Sequence, residues 1–329
     1  MYYDRTLPPA VIEILGENGA LAWVAKRLNE EPGLGPLAHV QFRKDRRAER
    51  HGTVTLYLGR TTPIRFRYRD NGLFDLDAHA KYKKLSPMVF RGTMNEADFG
   101  ELKKDFDKHI VKVMAAFGDD VSAAFIEKEG ALLAGLMRRY GHRNRKGDPF
   151  TAIDTEVVFE FPSASTKEHF EAKMAQTVKL AGAELPRELD AIGFLASGDV
   201  ALVEIKERDK DGRLDLAGAV GQVAAHIYRF REHARLRSAK PVEMLATMRA
   251  QKVAAGLLPK HVESIEGRAT FVPVVAAPDS RDDWKDQWLS ATETVRRENA
   301  DLLTGLRFWR LSGEGANVGE ILDDVAAPL

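Results

Sequence analysis

The stretch from residue 188 to residue 226 constrains the fold of this chain more than any other. It contains two apolar runs, 189–196 and 200–206, separated by a Ser-Gly-Asp sequence, and this pattern is typical of two strands joined by a tight turn. Side chains alternate between the two faces of a strand, and both faces of the second run are apolar until its last residues. The stretch therefore predicts a buried hairpin whose second strand ends at the rim of a hydrophobic core.

Charged side chains converge at the end of this predicted hairpin. Glu204 and Lys206 share one face of the second strand, and Asp190 reaches the same place if the two strands pair. Two carboxylates and a lysine at one point are typical of a site for a hard cation such as Mg²⁺, with an amine to orient or deprotonate a water. The alternative is a surface ion pair at the end of a strand, which stabilises a protein by about 0–1 kcal/mol.

This arrangement resembles the PD-(D/E)xK nuclease superfamily, the fold of many restriction endonucleases and recombination nucleases. The matching residues are Asp190 and, after thirteen intervening residues, the Glu-Ile-Lys triplet at 204–206. A predicted helix behind the triplet carries Gln222 and His226, which is similar to the Gln-x-x-x-Tyr signature of the RecB-like branch, with His in place of Tyr. The resemblance covers roughly residues 150–280.

The resemblance implies a fold and an activity. We expect an α/β protein with a restriction endonuclease-like αβββαβ core sandwich over residues 149–329 and an α+β N-terminal domain over residues 1–148, which binds substrate or a partner. The implied activity is Mg²⁺-dependent hydrolysis of DNA phosphodiester bonds, with Mn²⁺ as a substitute, in restriction, phage defence or repair. The alternative is a non-catalytic nucleic-acid-binding or assembly protein that retains the nuclease fold. The intact set of Asp190, Glu204 and Lys206 favours the enzyme, because a degenerate copy has no chemical reason to retain all three.

The resemblance also implies roles for individual residues. The metal ligands are Asp190, Glu204 and the backbone carbonyl of Ile205. Lys206 orients the attacking water and accepts its proton. Gln222 positions Lys206 or a bound nucleotide, which completes the catalytic set on the predicted helix.

The superfamily has a further acidic residue upstream of this set. The sequence offers four candidates: Glu129, Glu156, Glu168 and Glu171. We choose Glu171 because its predicted helix, 165–182, immediately precedes the hairpin. On the helix that carries Gln222, His226 and Arg229 follow at helical spacing; both are candidate contacts to phosphate, and His226 is also a candidate to act on a proton. A packed histidine without a role is the alternative for His226.

Two groups of basic side chains are further candidates for contact with nucleic acid. The first is a strand on which Arg65, Arg67 and Arg69 alternate with apolar residues. Such a row is spaced about 6–7 Å apart and approximates the spacing of phosphates, although a solvated outer face of a sheet explains the row as well. The second group lies in a loop before the predicted nuclease domain and contains Arg143, Arg145 and Lys146. These three either contact phosphate or belong to a solvated loop.

Composition limits the classes of protein that the chain can represent. No run approaches the roughly 18 apolar residues of a membrane span, and the N-terminus lacks a signal-peptide pattern, so we expect a cytoplasmic protein without membrane contact. The chain has no cysteine, which excludes disulfides, thiolate zinc sites and the iron–sulfur cluster that some RecB-like nucleases carry. Its formal net charge of zero counts mildly against a nucleic-acid binder, because phosphate contacts provide most of such affinity.

The remaining expectations concern partners and the C-terminal part. We expect DNA as the substrate and partner proteins of a defence or repair system, and the sequence leaves the oligomeric state open, a homodimer included. A strand is predicted over residues 269–278, and Pro273 within it is tolerated mainly near a sheet edge. The final dozen residues are interpreted as a tail.

Overall fold

The computed structural model describes residues 4–29, 38–44, 52–58, 61–69, 73–78, 80, 84, 93–95, 98–120, 129–237, 240–313 and 317–328. These residues form a mixed α/β fold with two sheets and eight α-helices. The α/β class predicted from the sequence is confirmed at this level. No helix among these residues is both long enough and apolar enough to cross a membrane.

The first sheet lies entirely in the N-terminal part of the chain. Its strands are antiparallel and follow chain order: β1 (Ala38–Lys44), β2 (Gly52–Leu58), β3 (Thr61–Arg69), β4 (Leu73–Asp77) and β5 (Thr93–Met94). Three helices flank it in sequence: α1 (Pro9–Leu15), α2 (Ala22–Asn29) and α3 (Phe99–Asp120). Phe42, Phe66 and Phe106 are fully buried in one hydrophobic cluster, so one face of this sheet packs against apolar side chains of the helices.

The second sheet has the strand order β11-β10-β9-β8-β7-β6. Its strands are β6 (Phe150–Val157), β7 (Leu189–Leu195), β8 (Val200–Ile205), β9 (Phe271–Pro278), β10 (Arg307–Leu311) and β11 (Ile321–Ala326). Strands β8, β9 and β10 are parallel, and the other neighbouring pairs are antiparallel. The predicted hairpin is confirmed, since Ala191 lies opposite Val203 and Phe194 opposite Val200.

Five helices accompany the second sheet: α4 (Glu129–Met137), α5 (Ala164–Thr177), α6 (Leu216–Arg237), α7 (Lys240–Ala254) and α8 (Trp284–Glu298). A π-helical turn, Arg138–His142, continues α4, and a 3₁₀ turn, Lys260–Ser264, follows α7. Helix α6 contacts both β8 and β9 and packs against α7 and α8. Its predicted apolar stripe is buried: Leu216, Val220, Val223, Ile227 and Phe230. The helix therefore lies over the strand that carries the Glu-Ile-Lys triplet.

The alternation of side chains along β8 divides them between two hydrophobic clusters. Ala201, Val203 and Ile205 belong to the cluster that includes α4, whereas Val200 and Leu202 belong to the cluster that includes α6. All six residues of β8 are buried. Glu204 is the next residue on the α6 face, because faces alternate residue by residue. A carboxylate thus stands one residue before the end of a strand that is otherwise apolar on both faces.

One hydrophobic cluster crosses the boundary expected near residue 149. It contains Phe42 and Phe66 of the first sheet together with Phe150 and Trp309 of the second. Polar contacts cross it too, since Arg5 Nη1 lies 2.8 Å from Asp154 Oδ2. The division into domains 1–148 and 149–329 stays a prediction.

Two expectations for the C-terminal part are wrong. Strand β9 with Pro273 lies between β8 and β10 rather than near an edge, and it accommodates proline because β10 pairs with it only from Val274 onward. The supposed tail contains β11, the edge strand of the sheet. This strand is weakly apolar because two of its residues, Asp323 and Asp324, form ion pairs with arginines of β10.

Candidate active site

Asp190 and the Glu-Ile-Lys triplet meet at the open end of the β7–β8 hairpin. Asp190 is the second residue of β7, and its Oδ2 accepts a hydrogen bond of 2.7 Å from the backbone N–H of Ile205. The negative charge of Asp190 also acts on Glu204. The two carboxylates that the sequence analysis paired are therefore neighbours in the fold.

Glu204 and Lys206 form an ion pair at the carboxyl end of β8. The Nζ of Lys206 donates a hydrogen bond of 2.9 Å to Glu204 Oε1. The Glu204 side chain is 6% exposed and the Lys206 side chain 19%. The pair is largely buried, so it differs from the solvent-exposed ion pairs that contribute little to stability. Lys206 reaches the carboxylate from the partly open side.

The carboxyl group of Glu204 has an unusual affinity for its proton. Burial and the nearby charge of Asp190 raise its pKa to about 8, although Lys206 and Arg229 act in the opposite direction. Burial disfavours the charged form of an acid, and a second carboxylate adds to that penalty. The positive charges of Lys206 and Arg229 therefore do not offset the effects of burial and of Asp190 on Glu204.

His226 of α6 faces Glu204 without neutralising it. Its Nε2 lies 3.9 Å from Glu204 Oε2, and the side chain is fully buried. Burial and the neighbouring charge of Arg229 hold the pKa of His226 well below its usual range, against a weaker opposing influence of the Glu188 backbone. The imidazole is therefore neutral at physiological pH and provides no cation to the site.

Buried polar atoms around Glu204 lack hydrogen-bond partners among the described residues. They are Oε2 of Glu204 and Oε1 of Gln222, and within the described chain the imidazole of His226 has only the backbone of Glu188 nearby as a polar contact besides Glu204. Gln222 and His226 are one helical turn apart, so they share a face of α6. Buried polar side chains are nearly always hydrogen-bonded, and exceptions indicate a water, an ion or a functional role. The cluster therefore has the capacity to bind a further polar group.

The side chains present fit a hard divalent cation. Asp190 and Glu204 supply carboxylate oxygens, the ligand type that Mg²⁺ prefers, and no thiolate competes. No group of three or more His, Asp or Glu side chains in the described part of the chain is arranged to hold a metal ion. The set expected from the sequence is of another kind. It has only two side-chain carboxylates, and its third ligand is the backbone carbonyl of Ile205.

The chosen upstream acid, Glu171, is linked to the site through Arg229. Glu171 is partly buried on α5, and its Oε1 lies 3.8 Å from Lys167 Nζ. Burial lowers the pKa of Arg229 to about 10, while the charges of Glu171 and Glu204 favour its charged form. Arg229 therefore lies within electrostatic reach of both carboxylates.

The other acidic candidates have different surroundings. Glu156 Oε2 lies 3.2 Å from Arg43 Nη2, next to the first sheet, and Glu168 is exposed. The backbone N–H of Glu129, at the first residue of α4, donates a hydrogen bond of 2.6 Å to Glu207 Oε2. The start of α4 thus lies beside the residue that follows Lys206. The identity of the upstream acid stays a prediction.

The predicted arginine row on β3 is paired with acidic residues of the neighbouring strand. Arg65 lies opposite Asp77, and Arg67 lies opposite Asp75. The Nε of Arg69 donates a hydrogen bond of 2.6 Å to Asp75 Oδ2. Part of the positive charge of this face is therefore balanced within the sheet, and contact with nucleic acid stays a prediction.

The predicted basic loop lies at the other end of the second sheet. Pro149, which follows Arg143, Arg145 and Lys146, accepts a hydrogen bond from the backbone of Ala196 at 3.0 Å. Ala196 follows β7 at its carboxyl end, whereas Asp190 lies near the opposite end. A strand of this length separates the two places by about 20 Å. The structure therefore does not bring the basic loop and the carboxylates into one cluster.

Asp279, immediately after β9, is a buried acidic residue that belongs to no motif of the sequence. Its side chain is fully buried, and it accepts hydrogen bonds from Arg208, Arg281 and Trp288. An acidic residue directly after an apolar run was the available signal. The carboxyl end of β9, where Asp279 lies, is next to the carboxyl end of β8, where Lys206 lies, only because the two strands are parallel.

Comparisons with protein-family models, with curated proteins and with solved structures found no match to this chain. A function is therefore inferred from the mixed α/β fold and from the arrangement of Asp190, Glu204 and Lys206.

Proposed function

We propose that this chain is a Mg²⁺-dependent nuclease of the PD-(D/E)xK class that hydrolyses phosphodiester bonds of DNA. The observation that carries the proposal is the meeting of Asp190 and Glu204, with Lys206 bonded to Glu204, at the end of a buried hairpin. Keeping Glu204 ionised in a buried position beside a second carboxylate is costly to a fold, even with Lys206 bonded to it. A divalent cation bound at the site during function would stabilise the ionised form of Glu204.

The order of elements supports the same class. Helix α4, the antiparallel strands β6, β7 and β8, helix α6 and the parallel strand β9 follow one another in the αβββαβ order that the resemblance implies. Helix α5 is an addition between β6 and β7, and helix α7 is an addition between α6 and β9. The proposed site lies at the carboxyl end of β8, next to the point where the antiparallel half of the sheet meets its parallel half.

The side chains of the site match the needs of phosphodiester hydrolysis. That reaction requires a positioned water and neutralisation of the charge that develops on the phosphoryl oxygens. A cation held by Asp190, Glu204 and the carbonyl of Ile205 supplies that positive charge when bound. Lys206 has three N–H donors, one of which reaches Glu204, so the others are available to orient a water or a phosphate oxygen.

Helix α6 supplies the other groups of the site. The amide of Gln222 and the imidazole of His226 lie one turn apart, and Oε1 of Gln222 has no partner among the described residues. Arg229 adds a buried positive charge that acts on Glu204. These groups orient the Glu204 carboxylate and contact the nucleotide beside the scissile bond.

The test is a cleavage assay with supercoiled plasmid, linear duplex and single-stranded DNA, each with Mg²⁺, Mn²⁺ or EDTA. Lys206→Ala and Asp190→Asn are compared with the wild type, and Lys210→Ala is the control because Lys210 is exposed in the following loop. We expect metal-dependent cutting that both site variants reduce at least about 100-fold and that Lys210→Ala leaves unchanged.

Two results contradict the proposal. Cutting that persists in both site variants assigns the activity to another site or to a contaminant. A wild type that binds DNA and cuts none of the three substrates favours the alternative, a non-catalytic binding protein that retains the fold.

A further inference from the structure

A polar crevice lies at the carboxyl ends of the parallel strands, beside the proposed active site. Its volume is about 380 Å³. It is lined by residues at or within three residues of the carboxyl ends of β8, β9 and β10, among them Arg208, Asp279, Ser280, Arg310 and Ser312. In open α/β sheets, ligands bind outside the carboxyl ends of parallel strands. The location of the crevice is therefore one where a ligand is expected.

The crevice and the proposed active site lie side by side at the carboxyl ends of the strands. The backbone N–H of Lys206 donates a hydrogen bond of 2.8 Å to the carbonyl of Ala276. Arg208 is two residues beyond Lys206, and Asp279 is three residues beyond Ala276. Two residues of extended chain span about 7 Å. A DNA strand bound at Lys206 therefore reaches the crevice within about one nucleotide.

Asp279 is a buried anchor for the arginines of the crevice. Its Oδ1 accepts hydrogen bonds from Arg208 Nη2 at 3.0 Å and from Arg281 Nε at 2.9 Å, and its Oδ2 accepts one from Trp288 Nε1 at 2.9 Å. Although burial acts to raise it, the hydrogen bonds from Arg281 and Trp288 hold the pKa of Asp279 at about 2. A permanently ionised, fully bonded carboxylate fixes the position of Arg208.

The two lining arginines retain unused donors. A guanidinium has five N–H groups. Arg208 uses Nη1 for the carbonyl of Gly212 at 2.8 Å and Nη2 for Asp279, and Arg310 is held by Asp323 of β11. Their side chains remain 23% and 27% exposed. Guanidinium groups that are held in place, and that still have donors to offer, are well suited to a planar oxyanion such as phosphate.

We propose that this crevice is a phosphate subsite for the DNA strand, which binds the phosphate next to the one that is cut. Arg208 and Arg310 bind the phosphate oxygens, and the hydroxyls of Ser280 and Ser312 complete the contact. The proposal rests on the proposed function, because it names the path of the same substrate. It also explains how a chain without net charge holds a polyanion: the positive side chains that matter are local and fixed.

The test measures DNA binding separately from cutting. A fluorescein-labelled duplex of 20 base pairs is titrated with protein in EDTA at several salt concentrations, and binding is followed by fluorescence anisotropy. Removing one phosphate contact lowers the slope of log affinity against log salt by about 1. We expect that reduction for Arg208→Gln and for Arg310→Gln, with weaker binding of both variants at low salt.

Arg307→Gln is the matched control. Arg307 lies on the same strand as Arg310, and its Nε is 2.7 Å from Asp324, as Arg310 pairs with Asp323. Arg307 does not line the crevice, so its removal leaves an unpaired aspartate without loss of the subsite, and the slope should equal that of the wild type. Arg208→Lys keeps the charge beside Asp279; if Arg208→Gln does not fold, Arg208→Lys should retain the slope and bind more weakly than wild type.

Slopes that stay unchanged in Arg208→Gln and Arg310→Gln overturn the subsite, and so does a wild type that does not bind the duplex. The cleavage assay with Mg²⁺ and Lys206→Ala is run in parallel. If cutting is absent while the slopes change as expected, the nuclease proposal fails and the phosphate subsite stands. If cutting depends on Lys206 while the slopes are unchanged, the subsite fails and the nuclease proposal stands.

Discussion

The carboxylate of Asp190 accepts a hydrogen bond from the backbone N–H of Ile205 at 2.7 Å. This contact joins the second residue of β7 to the last residue of β8, at the open end of the hairpin. The same carboxylate raises the pKa of Glu204 through its charge. Asp190 therefore has a structural contact and an electrostatic effect, and substitutions that separate the two are informative.

Asp190→Asn should preserve the hydrogen bond to Ile205 and remove the charge, whereas Asp190→Ala removes both. We expect the free energy of unfolding at pH 7 to fall by about 1–3 kcal/mol in the alanine variant, because a buried N–H loses its acceptor. The asparagine variant should lie within about 1 kcal/mol of the wild type. Urea unfolding measures both values. Equal losses in the two variants would show that the charge, and not the hydrogen bond, stabilises the hairpin.

Lys206→Met should make stability more sensitive to pH. The substitution removes the ammonium group that is 2.9 Å from Glu204, so ionising the buried carboxylate becomes more costly. We expect the variant to lose more stability at pH 8, where Glu204 tends to ionise, than at pH 5, where it is protonated. Thermal unfolding at both pH values measures the difference. Lys210→Met, in the exposed loop, is the control and should show the same loss at each pH.

The raised pKa of Glu204 predicts a pH-dependent effect of Mg²⁺. The folded state keeps the proton up to pH about 8, whereas an unperturbed carboxyl group loses it near 4.5, so this group lowers stability as pH rises between those values. A cation bound by the ionised carboxylate offsets the loss. We expect Mg²⁺ to raise the Tm by a few degrees at pH 8 and by little at pH 5. In Glu204→Gln the shift at pH 8 should vanish; a shift that survives there would locate the ion elsewhere.

His142 predicts a loss of stability in acid. Its Nδ1 donates to the carbonyl of Leu257 at 2.6 Å, and its Nε2 accepts from the backbone N–H of Val40 at 3.1 Å. Burial lowers the pKa of His142 to about 3 from 6.5, so the unfolded chain binds a proton that the folded protein does not. The contribution is complete above pH 6.5 and falls as pH decreases toward 3.

His142→Asn should therefore destabilise the protein by about 2–3 kcal/mol at pH 7 and by less at pH 5. Chemical denaturation at the two pH values provides the measurement, and His169→Asn, on the exposed surface of α5, is the control. A loss that is the same at both pH values would mean that His142 is protonated in the folded state.

Gly193 of β7 predicts a steric limit on the hairpin. A Cβ at this position would lie 2.0 Å from the backbone oxygen of Thr151 and 2.6 Å from the Phe150 ring. Backbone atoms of β6 cannot move aside without breaking the ladder, so Gly193→Ala should reduce the free energy of unfolding by at least about 2 kcal/mol. Guanidinium unfolding measures the change, and an unchanged midpoint would contradict the close packing of β6 on β7.

The hairpin and the helix behind it were predictable because their signals are local. Apolar runs around Ser-Gly-Asp define β7 and β8 within one or two residues, and the apolar stripe of α6 follows from its helical period. The convergence of Asp190 with Glu204 followed from one added assumption, that neighbouring strands pair. In contrast, β11 escaped prediction because an edge strand with two ion-paired aspartates does not have an apolar pattern.

The sequence by itself determined the residues of the candidate site and the strands that carry them, since alternation and turn chemistry act over a few residues. Only the tertiary structure decided the surroundings of those residues: that Glu204 is buried against a neutral His226, that the basic loop lies at the far end of the sheet, and that Asp279 and Arg208 meet beside Lys206. The physical reason is that burial and charge depend on groups distant in sequence. Strand order brings those groups together, and no local pattern encodes it.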